Sequence, residues 1–128
     1  MTSPTRRPIT IAGACVLLGG TAVAAELPIT GSYGNIEGCA YALRGESSGS
    51  DDFFLLTKDA VTTAVAHCRF LDVRPRSDKG FDVTAQCEEE GWTEDLAPFE
   101  IEIELVEPES YVLNIDDGSQ WGPLALCR

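Results

Sequence analysis

The feature that most constrains the fold of this chain is a strict alternation of apolar and acidic residues near its C-terminal end. From Phe99 to Leu105 every second residue is apolar, and the three residues between them are Glu100, Glu102 and Glu104. Side chains of a strand point to opposite faces with a period of two, whereas helical steps of about 100° would scatter these acids around the axis. The segment therefore predicts a half-buried strand with an apolar inner face and an acidic outer face.

Two earlier segments, residues 62–70 and 81–89, alternate between apolar and polar residues in the same way. Residues 75–80 lie between them and contain Pro, Ser, Asp and Gly, the residue types that favour turns. The pattern predicts two half-buried strands joined as a hairpin whose turn is centred between Ser77 and Asp78.

Four cysteines follow residue 25, namely Cys39, Cys68, Cys87 and Cys127. An even number of cysteines in a small exported domain predicts two disulfides. The hairpin register places Cys68 opposite Cys87, with Cβ atoms about 4.5–5.5 Å apart, and Cys39 then pairs with Cys127. The pairing of Cys39 with Cys68 and of Cys87 with Cys127 stays open, because bridges between neighbouring strands are often strained. A zinc site is disfavoured, since 28, 18 and 39 residues separate the cysteines and structural zinc sites use ligand pairs close in sequence.

Residues 1–25 predict a secretory signal peptide. Arg6 and Arg7 precede a run of 17 almost uncharged residues from Ile9 to Ala25, which ends in small side chains before Glu26. A basic start, an apolar middle and small residues at the cleavage point are typical of an exported chain, so we expect a periplasmic or secreted protein. Cleavage leaves residues 26–128 as a single β-rich domain with 7 basic and 21 acidic residues, a net charge of −14.

Turns divide this domain into about seven strands and no convincing helix. The expected strands are residues 39–43, 53–56, 61–71, 81–89, 99–105, 111–115 and 121–127. We therefore expect an all-β fold, a small antiparallel meander closed into a barrel or a curled sandwich and stapled by disulfides. The expected core consists of Phe53, Leu55, Phe70, Val83, Phe99, Ile101, Ile103, Val112 and Leu124.

Several short motifs carry a resemblance to a group of known proteins. They are the segment from Gly31 through Cys39, Leu56-Thr57, Cys68-Arg69-Phe70, the segment from Val83 through Cys87, Glu90-Gly91, and Trp121-Gly122-Pro123-Leu124 with Cys127. In these motifs the chain resembles small four-cysteine exported proteins of alphaproteobacteria that have no assigned function. The resemblance covers nearly all of residues 26–128, implies a β-rich periplasmic domain and implies no activity.

Charge and composition exclude several function classes. The net charge of −12 for the whole chain argues against nucleic-acid binding, which needs a basic surface, and against docking on anionic lipid. A single histidine, His67, excludes a multi-histidine metal centre, and the sequence has no G-x-S-x-G nucleophile elbow. We therefore expect a protein that is not an enzyme, with no catalytic or metal-binding residues and no cofactor. Three acidic clusters, Asp116-Asp117-Gly118, Asp51-Asp52 and Glu88-Glu89-Glu90, offer oxygen ligands for weak calcium binding. None has the spaced Asp pattern of a dedicated calcium loop, and Asp116-Asp117-Gly118 is typical of a hairpin turn.

The remaining candidates are binding surfaces. Glu100, Glu102 and Glu104 are the candidate docking stripe for a cationic protein, although a solvated outer face explains the same pattern. Trp92 and Trp121 are candidates for lining the mouth of a barrel that holds a small apolar ligand, or for plugging its ends as core. Small β-barrel inhibitors of lysozyme, a basic enzyme, are similar in architecture, but their Ser-Gly-x-x-Tyr-type motif is not present here.

Overall fold

Eight antiparallel strands, each paired with its neighbour in the sequence, form a closed barrel with one short helix in the part of the chain that the structure describes. The structure is a computed structural model and describes residues 25–89 and 96–128, so the predicted signal peptide falls outside it up to residue 24. The elements are β1 (Tyr33–Gly34), α1 (Ile36–Arg44), β2 (Phe54–Leu56), β3 (Ala60–Thr63), β4 (Ala66–Pro75), β5 (Phe81–Glu89), β6 (Phe99–Glu107), β7 (Ser110–Ile115) and β8 (Gln120–Leu126).

The interior of the barrel is filled with apolar side chains. Along β5 the buried positions alternate with half-buried ones, and along β6 Ile101 and Ile103 are buried between glutamates, as a period of two requires. An eight-stranded barrel is just wide enough for side chains to fill it. The largest interior side chains, each less than 2 % exposed, are Phe70, Leu56, Ile101, Ile103, Leu113, Leu124, Val61, Val83 and Cys68. The prediction of an all-β barrel is confirmed.

The hairpin of β4 and β5 has the register that the alternation predicted at its open end. Cys68 lies opposite Cys87 and Phe70 lies opposite Ala85. A bulge at Leu71 then shifts the pairing by one residue, and Leu71 is 42 % exposed. A bulge leaves the extra residue unpaired and bends its strand, which helps a sheet to close into a barrel.

Two disulfides cross-link the domain, one within a hairpin and one between residues 88 positions apart. Cys68 of β4 is bonded to Cys87 of β5, with Cα atoms 3.9 Å apart, and Cys39 is bonded to Cys127, with Cα atoms 5.1 Å apart. The second bond ties α1 to the residues that follow β8, where the Cys127 amide donates to the Ser32 carbonyl at 2.8 Å. Two such bonds are compatible with an oxidising compartment.

The predicted strand over residues 39–43 is wrong, because residues 36–44 form α1. Asn35 caps the helix, its side-chain oxygen accepting from the Gly38 amide at 2.9 Å. Gly45 ends it in a left-handed conformation with φ of 68°, and its amide donates to the Tyr41 carbonyl. Both capping signals are present in the sequence, and they outweigh the apparent strand pattern.

The predicted single strand over residues 61–71 is also wrong in detail. The chain turns at Ala64 and Val65 and forms two strands, β3 and β4, in place of one. The Thr63 hydroxyl oxygen organises this turn by accepting from the Ala66 amide at 3.1 Å, a local bond with which threonine competes against the strand ladder. Together with the two-residue β1, this hairpin raises the number of strands to eight.

Three expected core residues do not belong to the central cluster, although two of them are buried. Phe53 is half-buried, and Leu55 and Val112 are buried outside the central cluster, whereas their neighbours Leu56 and Leu113 lie in it. Continuous apolar runs carry no period-two signal, so the sequence does not show which residue of each pair points inward. Phe99 is partly buried against the core, and the other five expected residues belong to it.

Candidate binding groove

The acidic stripe of β6 begins at Glu100, whose carboxylate is already occupied by groups of the same chain. The Thr84 hydroxyl donates to Oε1 at 2.6 Å, and the Arg74 guanidinium donates to Oε2 at 2.6 Å. The hydrogen bond from Thr84, followed by that from Arg74, lowers the pKa of Glu100 below its usual range. β5 thus supplies a hydroxyl, and β4 a cation, to the first glutamate of the stripe.

The other two glutamates of the stripe also have partners within the barrel. Arg76 Nη1 lies 3.0 Å from a Glu102 oxygen and 3.3 Å from an Asp82 oxygen. The Asn114 amide donates to Glu104 at 3.0 Å. Two of the three carboxylates therefore form ion pairs inside the chain, and a cationic partner at this face would have to compete with Arg74 and Arg76.

Of the two candidate tryptophans for a ligand mouth, the structure describes Trp121. Trp121 of β8 is half-buried against the core, and its ring centroid lies 5.7 Å from that of Phe54. Trp92 lies outside the described residues. The ring of Trp121 therefore packs beside the ring of Phe54 in β2.

A surface groove lies between α1, the loop that follows it and the turn joining β3 to β4. We call it the helix–loop groove, and its volume is about 450 Å³. Its lining consists of Tyr41, Phe53, residues 47–51 and residues 63–65. A volume of this order falls within the range of small-ligand sites, about 300–1,000 Å³.

Hydrogen bonds within the chain hold the loop of the helix–loop groove in place. The Asn35 side-chain amide donates to the Asp52 carbonyl at 2.8 Å, and the Asp52 amide donates to the Ser50 hydroxyl at 3.1 Å. The Ser48 hydroxyl donates to Glu37 at 2.6 Å and accepts from the Ser50 amide at 3.2 Å. The residue that caps α1 therefore also anchors the loop, so helix and loop form one unit.

The groove combines exposed apolar surface with an acidic group. Tyr41 is 50 % exposed and contacts Phe53 edge-on, with ring centroids 5.8 Å apart, and Val65 is 62 % exposed. Asp51 is exposed and has no side-chain hydrogen bond or ion pair with any residue of 25–89 or 96–128. An aromatic ring beside a carboxylate can bind a cation that carries an apolar stem.

The sequence singled out Asp51, as a possible calcium ligand beside Asp52, but it did not single out Tyr41 or Val65. Tyr41 and Val65 are 24 positions apart, and each stood in a segment predicted as a strand, so no local pattern joined them. The run of Ser and Gly at residues 47–50 indicated a surface loop but not its neighbours in the fold.

The described residues contain little that suggests other chemistry. His67 is exposed, with Nδ1 2.9 Å from the Thr62 hydroxyl oxygen, and it does not line the groove. Over residues 25–89 and 96–128, no group of three or more His, Cys, Asp or Glu side chains is placed to hold a metal ion. No helix in the same ranges has the length and apolar character needed to cross a membrane.

Comparisons of the chain with protein-family models, with curated proteins and with solved structures find no match.

Proposed function

We propose that the chain is a non-enzymatic binding module that docks a cationic protein in the periplasm or outside the cell. The signal-peptide pattern and the resemblance to exported four-cysteine proteins support the location, and two disulfides agree with it. Residues 26–128 carry a net charge of −14. Such a charge attracts a basic protein and mainly raises the rate of association.

The observation that carries this proposal is the state of the acids beside the helix–loop groove. Glu37, Asp51 and Asp52 have no cationic side chain within 4 Å among the described residues. Asp51 lines the groove together with two exposed side chains that offer apolar surface, Tyr41 at 50 % and Val65 at 62 %. An apolar patch flanked by uncompensated charge has the composition of a docking surface, and the internally paired stripe of β6 fits that role less well.

The alternative function, binding a small apolar ligand inside the barrel, has weaker support. Nine large side chains, each less than 2 % exposed, occupy the interior, and Trp121 packs on Phe54. The lysozyme-inhibitor alternative is one specific form of the proposed function, because lysozyme is a basic protein. Lysozyme therefore serves as the cationic probe protein.

The test is a calorimetric titration of residues 26–128 with lysozyme at about 0.05 M and 0.3 M salt. We expect association that weakens at high salt, because screening shortens the range of charge interactions from about 14 Å to about 6 Å. Lysozyme with acetylated lysines is the matched control and should bind less tightly. Binding of neither form, or equal binding of both, contradicts the proposal. A cell-wall turbidity assay then shows whether binding inhibits the enzyme.

A further inference from the structure

We propose that the helix–loop groove recognises an arginine side chain of the partner protein, with the guanidinium against the ring of Tyr41 and paired to the carboxylate of Asp51. This inference rests on the proposed function and assigns it a site and a recognised group. Both residues line the same groove of about 450 Å³.

Charge complementarity identifies the occupant as a cation. Asp51 is an exposed carboxylate without a partner among residues 25–89 and 96–128. Asp52 follows it in the chain, and Glu37 adds negative charge at the same loop, where it accepts from the Ser48 hydroxyl. A carboxylate can accept two parallel hydrogen bonds from one guanidinium, which is stronger and more directional than its pairing with an ammonium.

The exposed ring favours arginine over lysine. Tyr41 is 50 % exposed in the groove, and a planar guanidinium stacks on an aromatic face and sheds its hydration more easily than an ammonium does. Cation–π contacts at exposed sites contribute about 0.5–1 kcal/mol. The exposed side chain of Val65 offers apolar surface to the methylene stem of the same residue.

The groove is organised before any partner arrives. Phe53 contacts Tyr41 edge-on at a centroid distance of 5.8 Å. Both neighbours of Asp51 are fixed, since the Ser50 amide donates to Ser48 and the Asp52 carbonyl accepts from Asn35. Groups already held in position lose less conformational freedom on binding.

The test is an NMR titration of ¹⁵N-labelled protein (residues 26–128) with the capped tripeptide acetyl-Leu-Arg-Leu-amide. Matched peptides carry lysine or uncharged citrulline in the central position. We expect shifts confined to the amides of α1, residues 47–53 and residues 63–65. The arginine peptide should bind at least about threefold more tightly than the lysine peptide, and the citrulline peptide should cause no comparable shift. Shifts centred on another face, or equal affinity for arginine and citrulline, overturn the inference.

Substitutions at Asp51 and Tyr41 test the two proposed contacts with the guanidinium separately. Asp51→Asn and Tyr41→Leu should each weaken binding of the arginine peptide at least about threefold, whereas Tyr41→Phe should retain it because the ring remains. Glu107→Gln removes the same charge at the exposed end of β6 and is the control for general electrostatics. Equal losses for Asp51→Asn and Glu107→Gln would show that the groove does not select the cation. Unchanged NMR spectra away from each substituted residue establish that the variants fold.

The outcomes separate this inference from the proposed function. If lysozyme binds the wild-type protein and all groove variants equally, the arginine site is wrong and the proposed function stands. If the arginine peptide fills the groove while lysozyme fails to bind, the site stands and the proposed function fails.

Discussion

Gly38 lies against Phe54 so closely that a Cβ atom built on it would stand 1.9 Å from the Phe54 carbonyl oxygen. The same carbonyl accepts from the Asn35 amide at 3.2 Å. Gly38 is also the one residue of α1 that is fully buried. Helix and barrel therefore meet backbone to backbone at this point, and the position of the helix–loop groove depends on a residue without a side chain.

Gly38→Ala should consequently displace α1 from β2 and lower the free energy of unfolding by about 1–3 kcal/mol, the usual cost of overpacking. Alanine is the better helix former by about 1 kcal/mol, so a loss of stability would identify the clash as the dominant effect. Urea unfolding measures the change. Ala42→Gly, at an exposed position of the same helix, is the control and should cost about 1 kcal/mol without shifting the amides of residues 47–53. A stabilised Gly38→Ala protein would refute the close contact.

The two disulfides should differ in their access to reductant. Cys68 and Cys87 are 0 % and 6 % exposed, whereas Cys39 and Cys127 are half-buried at the surface. Because thiol–disulfide exchange requires access of the attacking thiolate, Cys39 and Cys127 should be reduced first, about tenfold faster or more under native conditions. Alkylation after timed exposure to dithiothreitol, followed by peptide mass spectrometry, gives the order. Reduction at equal rates in folded protein would contradict the burial of the Cys68–Cys87 bond.

Neighbouring leucines of β2 provide a matched test of which face points inward. Leu56 belongs to the central cluster and is 0 % exposed, whereas Leu55 is 8 % exposed and lies outside it. Leu56→Ala should lower the free energy of unfolding by about 2–5 kcal/mol through lost burial and the cavity left behind. Leu55→Ala should cost at least about 1 kcal/mol less, because fewer core contacts are lost. Urea denaturation of both variants decides the point, and a reversed order would place Leu55 in the barrel.

Glu100 should titrate below the usual range of a glutamate. The Thr84 hydroxyl is the main cause and the Arg74 guanidinium the second, and both favour the charged carboxylate. Since the folded-state pKa is lower than the unfolded one, the resulting stability is present above the unfolded pKa. It is lost as the pH falls through the folded pKa.

Carboxyl ¹³C NMR across an acid titration measures this pKa directly. Thr84→Val removes the hydroxyl and should move the pKa of Glu100 back towards its ordinary value. Glu100→Gln should destabilise the protein at neutral pH and have little effect in strong acid, where the carboxyl is protonated in both states. The effect should be modest, because the Glu100 side chain is 55 % exposed and solvent screens such pairs. A pKa that is the same in the wild-type and Thr84→Val proteins would exclude the hydroxyl as its cause.

Regular alternation made part of the fold predictable. In β5 and β6 the apolar residues sit at every second position, and the structure buries Val83, Ala85, Ile101 and Ile103 as the pattern requires. The turn between β4 and β5 placed Cys68 opposite Cys87. Where the alternation fails, as in residues 53–56, the sequence did not fix the inward face. The strand expected near Cys39 overlooked the capping residues Asn35 and Gly45.

The sequence by itself determined the β-rich character of the domain, because the direction of each side chain in a strand follows from local backbone geometry. It also determined the excess of acids. Only the tertiary structure decided which acids are free. Arg74 and Glu100 are 26 positions apart and meet across β5, so their pairing occupies the first carboxylate of a stripe that the sequence alone presented as unpaired. The same closure brings Tyr41, Asp51 and Val65 around one groove, since long-range pairing, which no local pattern encodes, sets which surfaces adjoin.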